Sequence, residues 1–298
     1  MYKYQLSIVT PTYNRAYILP NLRQSLLDQT VKDFEWVIVD DGSTDNTQEL
    51  LKQWQQQDTP FEMRCFFQAN GGKHRALNNA IAQVQGQYVF IVDSDDMLTS
   101  DAVETALDWL KSIDGNEQFA GVSGLKATIS KGEPVGGLPK GLKNKPYVDA
   151  KNTQRSKYGL LGDKAEIYRT DLLRKYKFME FDNEKFLTEE TVWNEIAYYG
   201  YYIRWYPKAI YLCEYLPDGL TKGGQQELKN FEGFTYTVKI RIKCYSALQG
   251  LIMKGYYYDI ARQKGLTLRQ AADRLGCSTF AMLSGYWLRR IKRSIFNR

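Results

Sequence analysis

At 298 residues, with 43% hydrophobic and 25% charged side chains, the chain has the composition of a folded soluble protein and ample material for a core. A single histidine, His74, excludes a multi-histidine zinc site or a relay of several imidazoles, and no run of roughly 18 apolar residues offers a simple membrane-spanning helix. Cys65, Cys213, Cys244 and Cys277 stand far apart with no metal-ligand spacing and no signal peptide before them, so they read as reduced thiols of a cytosolic protein. The net charge of +6 is uneven: residues 226–298 hold 14 Lys and Arg against 4 Asp and Glu, which places a boundary near Gly223-Gly224.

In chain order, Leu6-Ser7-Ile8-Val9-Thr10 is a short β-branched run that Pro11 ends by withdrawing a backbone donor. The loop Thr12-Tyr13-Asn14-Arg15 follows, then a helix with Leu19, Leu22 and Leu26 on one face. The strand Trp36-Val37-Ile38-Val39 delivers Asp40-Asp41-Gly42-Ser43, and Ser43 or Thr44 can cap the next helix, whose inner face is Leu50, Leu51 and Trp54. A third strand over 63–67 runs into Asn70-Gly71-Gly72-Lys73-His74 and a helix striped by Ala76, Leu77, Ala80, Ile81 and Val84.

The fourth strand, Tyr88-Val89-Phe90-Ile91-Val92, is apolar along its length and ends in Asp93-Ser94-Asp95-Asp96. An unbroken apolar strand is buried on both faces, so its carboxylates emerge at the open edge of a sheet. The cluster reads two ways at this point: a site for a hard divalent cation such as Mg²⁺ or Mn²⁺, or a solvated acidic turn before the helix near Ser100. Strands alternating with helices imply right-handed crossovers and a mainly parallel sheet with helices on both faces. Ligands bind beyond the carboxyl ends of such strands, where the loops at Thr12, Asp41, Gly72 and Asp95 all lie.

A helix with Val103, Leu107 and Leu110 leads to the strand-like stretch 120–125. Residues 130–158, rich in Gly, Pro and Lys, read as a long surface loop, either an acceptor-binding lid or variable surface. A strand resumes over 165–168. Thr188 can then cap a helix that carries Glu189 and Glu190 in its first turn and Val192, Trp193, Ile196 and Ala197 on its face.

Together these segments resemble the family 2 glycosyltransferases of the GT-A fold. The resemblance lies in Ser7-Ile8-Val9-Thr10-Pro11-Thr12-Tyr13-Asn14-Arg15, Val39-Asp40-Asp41-Gly42-Ser43, Asn70-Gly71-Gly72-Lys73-His74, Asp93-Ser94-Asp95-Asp96, and Glu189-Glu190 followed by Trp193 and Gly200. It covers residues 5 to about 205 and looks most like bacterial members that build surface polysaccharides. It implies an α/β, Rossmann-like catalytic domain over 1–224 and a helical extension over 225–298.

Carried over by position, the resemblance implies that Thr10, Pro11 and Tyr13 meet the nucleotide base, with Arg15 also on the donor side. Asp41 would accept from the uracil N–H, which favours a UDP-sugar; Asp93 and Ser94 would sit near the ribose, and Asp95, with Asp93, would bind Mg²⁺ or Mn²⁺. Gly72 and Lys73 would meet the diphosphate at a helix start, where free backbone N–H groups favour anions. His74 reads equally as a diphosphate contact or as a surface residue. Glu190 is the candidate base of an inverting transfer, and family members commonly have Asp there, which leaves Glu189 and Asp96 open as alternatives. Asp96, Glu189 and Trp193 would face the acceptor, although Trp193 at helical spacing with Ile196 also reads as core.

The segment 211–221, with glycines at 219, 223 and 224, reads as a loop that closes over bound donor. In the tail, Trp287, Leu288, Ile291 and Ile295 share a side among basic residues, which suits either an interfacial helix on an anionic leaflet or packing on protein. The expected partners are a nucleotide-sugar and a saccharide or lipid-linked saccharide, with membrane contact through 286–298 and no nucleic acid. The chain would work in the cytoplasm, at the inner face of the plasma membrane. A nucleotidyltransferase and a non-catalytic sugar-nucleotide scaffold are the competing readings. The first normally has a glycine-rich basic loop after its first strand, where this chain has Pro11-Thr12-Tyr13-Asn14; the second needs no base.

Overall fold

The computed structural model describes residues 2–214 and 226–296, with side chains through Ile291. Its first part alternates β1 (Tyr4–Thr12), α1 (Leu19–Leu27), β2 (Glu35–Asp40), α2 (Thr47–Trp54), β3 (Glu62–Phe67), α3 (Lys73–Gln83) and β4 (Gly86–Ile91). There follow β5 (Met97–Leu98), α4 (Ala102–Lys111), β6 (Phe119–Thr128), β7 (Val148–Ala150), α5 (Arg155–Tyr158), β8 (Lys164–Arg169), α6 (Thr170–Lys175), α7 (Glu190–Tyr198) and β9 (Tyr202–Cys213). The helices α8 (Gln226–Lys229), α9 (Phe231–Cys244), α10 (Ala247–Gln263), α11 (Leu268–Leu275) and α12 (Thr279–Phe296) complete the described chain.

One sheet runs β3-β2-β1-β4-β8-β6-β9-β5, with β7 also paired to β9. The pairs β1·β2, β1·β4 and β2·β3 are parallel, while β8 lies antiparallel between β4 and β6. Successive residues of the central strands feed opposite cores. Leu6, Ile8, Trp36, Ile38, Tyr88 and Phe90 meet α1, α2 and α4, and Val9, Val37, Val39 and Val89 meet α3, α6 and α7. Each such side chain withdrawn from water stabilises the fold by about 1.5–3 kcal/mol. Thr12, Asp40 and Phe67 lie in register, so the loops after β1, β2 and β3 leave from one edge.

Several local expectations are corrected. β1 continues through Pro11 to Thr12, because the missing N–H of Pro11 does not prevent Thr12 from accepting from the Asp41 N–H at 2.8 Å. Ser43 caps no helix: its hydroxyl bonds Asp40 and accepts from the Asn14 N–H, and α2 starts only at Thr47. Thr188 likewise caps nothing through its side chain; its carbonyl accepts from the Thr191 hydroxyl at 2.9 Å. Residues 130–158 are not all surface loop, since β7 pairs antiparallel with β9 and Leu142, Val148 and Ala150 are buried. Their apolar runs are too short for periodicity to reveal.

The helices α9 to α12 share a third core around Phe231, Val238, Tyr257, Ala272 and Met282. α10 and α12 cross backbone to backbone: a Cβ on Gly285 would stand 2.0 Å from the Leu251 carbonyl oxygen. This bundle is fastened to the α/β part. Glu184 accepts from the Glu232 and Gly233 N–H groups at 2.7 Å each, at the start of α9, and Asn230 accepts from the Lys185 and Phe186 N–H groups. Of the closing loop expected over 211–221, Tyr211 to Cys213 are instead the end of β9, with Tyr211 and Cys213 buried; the rest from 215 onward and the expected boundary at Gly223-Gly224 lie outside the described residues, as do the side chains from Lys292 onward, including Ile295. Among the described residues no helix is long and apolar enough to cross a membrane, and all four cysteines are free thiols.

Candidate active site

The loop after β2 is tied to the loop before α3 by Asp41. Its carboxylate accepts from the Gly71 and Gly72 N–H groups at 2.8 and 2.7 Å, from Gln68 at 2.8 Å and from the Asn70 amide at 3.2 Å. Four donors occupy the lone pairs of one carboxylate, so Asp41 fixes the loop, and a base N–H reaches it only by displacing a donor, Asn70 being the most distant. Gly72 is required on two counts: its φ is +96°, and a Cβ there would stand 1.9 Å from the Lys185 carbonyl oxygen.

That turn opens α3 and aims Lys73 across the sheet edge. Its ammonium lies 2.5 Å from Asp93 and 2.7 Å from Glu189, joining the loop after β4 to the residue preceding α7. Burial opposes the charge on Lys73, but Asp93 and Glu189 outweigh it and hold its pKa well above the ordinary lysine value. For Asp93 burial likewise opposes ionisation, and Lys73 followed by Lys126 keeps the carboxyl below its usual range.

Sequence reasoning missed two members of this network. Lys126, on β6, lies 3.8 Å from Asp96 and 3.9 Å above the ring centroid of Tyr211, on β9. The Tyr211 hydroxyl accepts from the Asp93 N–H at 2.9 Å and bonds the Asp96 carboxylate. Asp96 is buried, and burial together with the Asp93 charge pushes its pKa up to about 7 against the pull of Lys126. A lysine interrupting the apolar alternation Leu125-Lys126-Ala127 was the available signal.

Asp95 differs from its neighbours. Burial and the Asp93 charge raise its pKa, and the Arg15 guanidinium, at 3.9 Å, offsets this only in part. A carboxylate beside a second carboxylate, with so distant a cation, fits a divalent metal that takes one or two protein oxygens and completes its shell from a diphosphate. Among the described residues no group of three or more His, Cys, Asp or Glu side chains is arranged to hold a metal ion by itself.

The other expected site residues divide. Tyr13 is exposed and open to a ligand, but Thr10 and Pro11 are buried in the sheet, where the Thr10 hydroxyl accepts from the Trp36 indole N–H at 2.9 Å. Of the three residues expected at the base, Tyr13 is therefore the exposed one. Ser94 is buried beside Asp93. His74 is buried in α3, not on the surface, and its Nδ1 has no partner among the described residues. Trp193 is also a correction. It is 6% exposed, stacked on Tyr168 with centroids 4.1 Å apart and met edge-on by Phe178, so it packs the core and offers no platform to an acceptor.

Glu189 and Glu190 take different partners because consecutive residues at a helix start point about 100° apart. Glu189 joins Lys73, whereas Glu190 pairs with Arg241 of α9 and accepts from Asn194. Arg241 lies far along the chain in a segment without a motif, and the sequence carried no sign of it.

The model of the family described as glycosyl transferase family 2 matches residues 7–175. Among curated relatives, glycosyltransferase GlyG of Streptococcus pneumoniae is 39% identical over 34% of this chain and 33% of its own length. The GalNAc(5)-diNAcBac-PP-undecaprenol beta-1,3-glucosyltransferase of Campylobacter jejuni is 29% identical over 63% of this chain and 58% of its own length, so the match spans well short of either relative. S. aureus TarS 1-349, solved with UDP-GlcNAc, superposes with a TM-score of 0.63 at 17% identity, covering 97% of this chain and 92% of that one. A mannosyltransferase from Pyrobaculum calidifontis, solved with GDP-Man and Mn²⁺, gives 0.52 at 18% identity over 97% and 73%. These likenesses establish a GT-A fold with a helical carboxyl-terminal region, and the family match over more than half of its residues shows that the chain belongs to glycosyl transferase family 2.

Proposed function

We propose that the chain is an inverting transferase that moves a sugar from a UDP-sugar to a hydroxyl of a saccharide or lipid-linked saccharide in bacterial surface polysaccharide synthesis. The observation that carries this reading is the Lys73 ammonium held between Asp93 and Glu189: a cation fixed at the strand ends, beside a carboxylate pair, suits a nucleotide diphosphate. The relatives support a UDP-linked donor and a lipid-linked acceptor, since the C. jejuni protein is named for a polyprenol-linked substrate and TarS was solved with UDP-GlcNAc.

In this reading Tyr13 borders the nucleotide base and the uracil N–H takes the place of the Asn70 amide on Asp41. Lys73 and Arg15 orient the diphosphate. Asp95, with Asp93, would hold Mg²⁺ or Mn²⁺, which when bound supplies positive charge to the departing diphosphate. The acceptor oxygen attacks the anomeric carbon from the face opposite UDP; its proton passes to the Glu190 carboxylate, and the bond to the diphosphate breaks with its electron pair leaving on UDP. Residues 1–224 carry the donor site and the base, and α12 lies against an anionic membrane surface where a lipid-linked acceptor is presented.

The test is UDP release from a panel of UDP-sugars with Mn²⁺, in the native protein and in Asp95→Ala and Glu190→Gln. Turnover by the native protein and its loss in both variants is expected. Tight UDP binding without turnover, across a broad acceptor panel, would show a sugar-nucleotide scaffold instead, and GDP competing better than UDP would overturn the donor assignment.

A further inference from the structure

We propose that Arg241, supplied by the carboxyl-terminal helical region, is a positioning residue for the Glu190 carboxylate, so that α9 completes the active site. This inference rests on the reading of Glu190 as the base. Glu190 is the first residue of α7, and its side chain is partly exposed. Three donors restrict it: Arg241 Nε at 3.0 Å and Asn194 Nδ2 at 2.8 Å on Oε1, and Arg241 Nη2 at 2.5 Å on Oε2. The two guanidinium contacts form a planar fork that fixes the orientation of a carboxylate as well as its place. A carboxylate offers about four lone-pair sites, so these donors leave room on Oε2 for an incoming hydroxyl.

The partners are themselves anchored. Asn194 is fully buried, and its Oδ1 accepts from Asn152 at 2.8 Å and from the Tyr245 hydroxyl at 3.3 Å. Arg241 is set by the docking of α9, whose start is held by Glu184 and whose Tyr236 meets Phe181 with ring centroids 6.0 Å apart. A bidentate pair between α7 and α9, on the very residue assigned the proton transfer, makes the helical region part of the catalytic unit.

The experiment uses the full chain and whichever UDP-sugar of glucose, galactose, N-acetylglucosamine or N-acetylgalactosamine gives the fastest UDP release. Arg241→Met is expected to lower kcat about 10- to 100-fold, the scale of a mispositioned catalytic group, while UDP affinity by calorimetry and donor KM stay within about twofold. Arg241→Lys should recover part of kcat. In Arg241→Met combined with Glu190→Gln, the loss should equal that of Glu190→Gln alone, because the arginine acts through the glutamate. Unchanged kcat in Arg241→Met, or losses that multiply in the double variant, would overturn the proposal. If Glu190→Gln keeps full activity, the base assignment fails and this inference with it. If the native protein releases no UDP from any donor, the proposed function itself fails.

Discussion

Lys73 and Glu189 meet at 2.7 Å across the mouth of the sheet, although one opens α3 and the other immediately precedes α7. The same ammonium holds Asp93 at 2.5 Å, so one cation ties together two of the sequence segments that carry the family resemblance. Its side chain keeps about a quarter of its surface, which leaves it within reach of an anionic ligand.

Replacing this lysine should therefore cost both binding and stability. In Lys73→Met two partly buried carboxylates lose their shared cation, and leaving such groups unsatisfied costs about 1–3 kcal/mol, less than the cost of breaking a fully buried pair. UDP affinity by calorimetry should fall at least about tenfold, because the diphosphate loses its charge partner. Unchanged affinity would remove Lys73 from the donor site.

Trp193 makes a separable prediction. Stacked on Tyr168 in the core, it should behave as a packing residue: Trp193→Ala should destabilise the protein by about 3–5 kcal/mol in denaturant unfolding, through lost burial and the cavity left behind. An acceptor platform would instead show a raised acceptor KM with near-normal stability. Trp193→Phe, which keeps the ring against Tyr168, should recover most of the lost stability.

What the sequence made legible follows from what local pattern can encode. The unbroken apolar run Tyr88 to Val92 announces burial on both faces, the short runs at Leu6 and Trp36 mark strands beside it, and strand ends then locate the loops at Asp41, Gly72 and Asp93. Lys126 and Tyr211 stayed hidden because their approach to Asp93 and Asp96 depends on the order β8-β6-β9, which no local pattern states. Thr10 and Pro11 sit inside the resembling motif yet are buried, with the Thr10 hydroxyl spent on the Trp36 indole. Arg241 became visible only once α9 was seen docked on α7. Glu184 and Asn230, which fasten that docking, are unremarkable polar residues in sequence.

Glu166, on β8, gives stability a definite pH dependence. Burial pushes its pKa up to about 7, with Arg155 and Lys126 pulling the other way, whereas the unfolded chain has an ordinary value near 4.3. Between these values the folded protein holds a proton that the unfolded chain has lost. Stability from this group therefore falls as pH rises from about 4 to about 7 and is level above that. Glu166→Gln should raise the melting temperature at pH 8 by a few degrees, at about 2–4 °C per kcal/mol, with the gain vanishing near pH 4–5. A gain equal at both pH values would mean that Glu166 titrates normally.

The last helix supplies the prediction for the membrane. α12 is fixed from within by Met282, Gly285 and Tyr286, so its outer side has a set orientation, on which Phe280 is 79% and Trp287 54% exposed. Arg290 lies beside that tryptophan, its guanidinium 5.8 Å from the ring, in the basic run Arg289-Arg290-Ile291-Lys292-Arg293. Aromatic rings among cations suit an anionic leaflet, where each basic residue near the surface contributes about 1 kcal/mol and added salt screens the attraction. The protein should float with phosphatidylglycerol vesicles at low salt, float less as salt is raised, and stay behind with phosphatidylcholine. Trp287→Glu should weaken flotation without altering UDP affinity, since the residue is remote from Lys73 in the chain and lies on the outer side of the bundle. Equal behaviour with both lipids, or none with either, would leave the basic balance of residues 226–298 to serve contacts with protein.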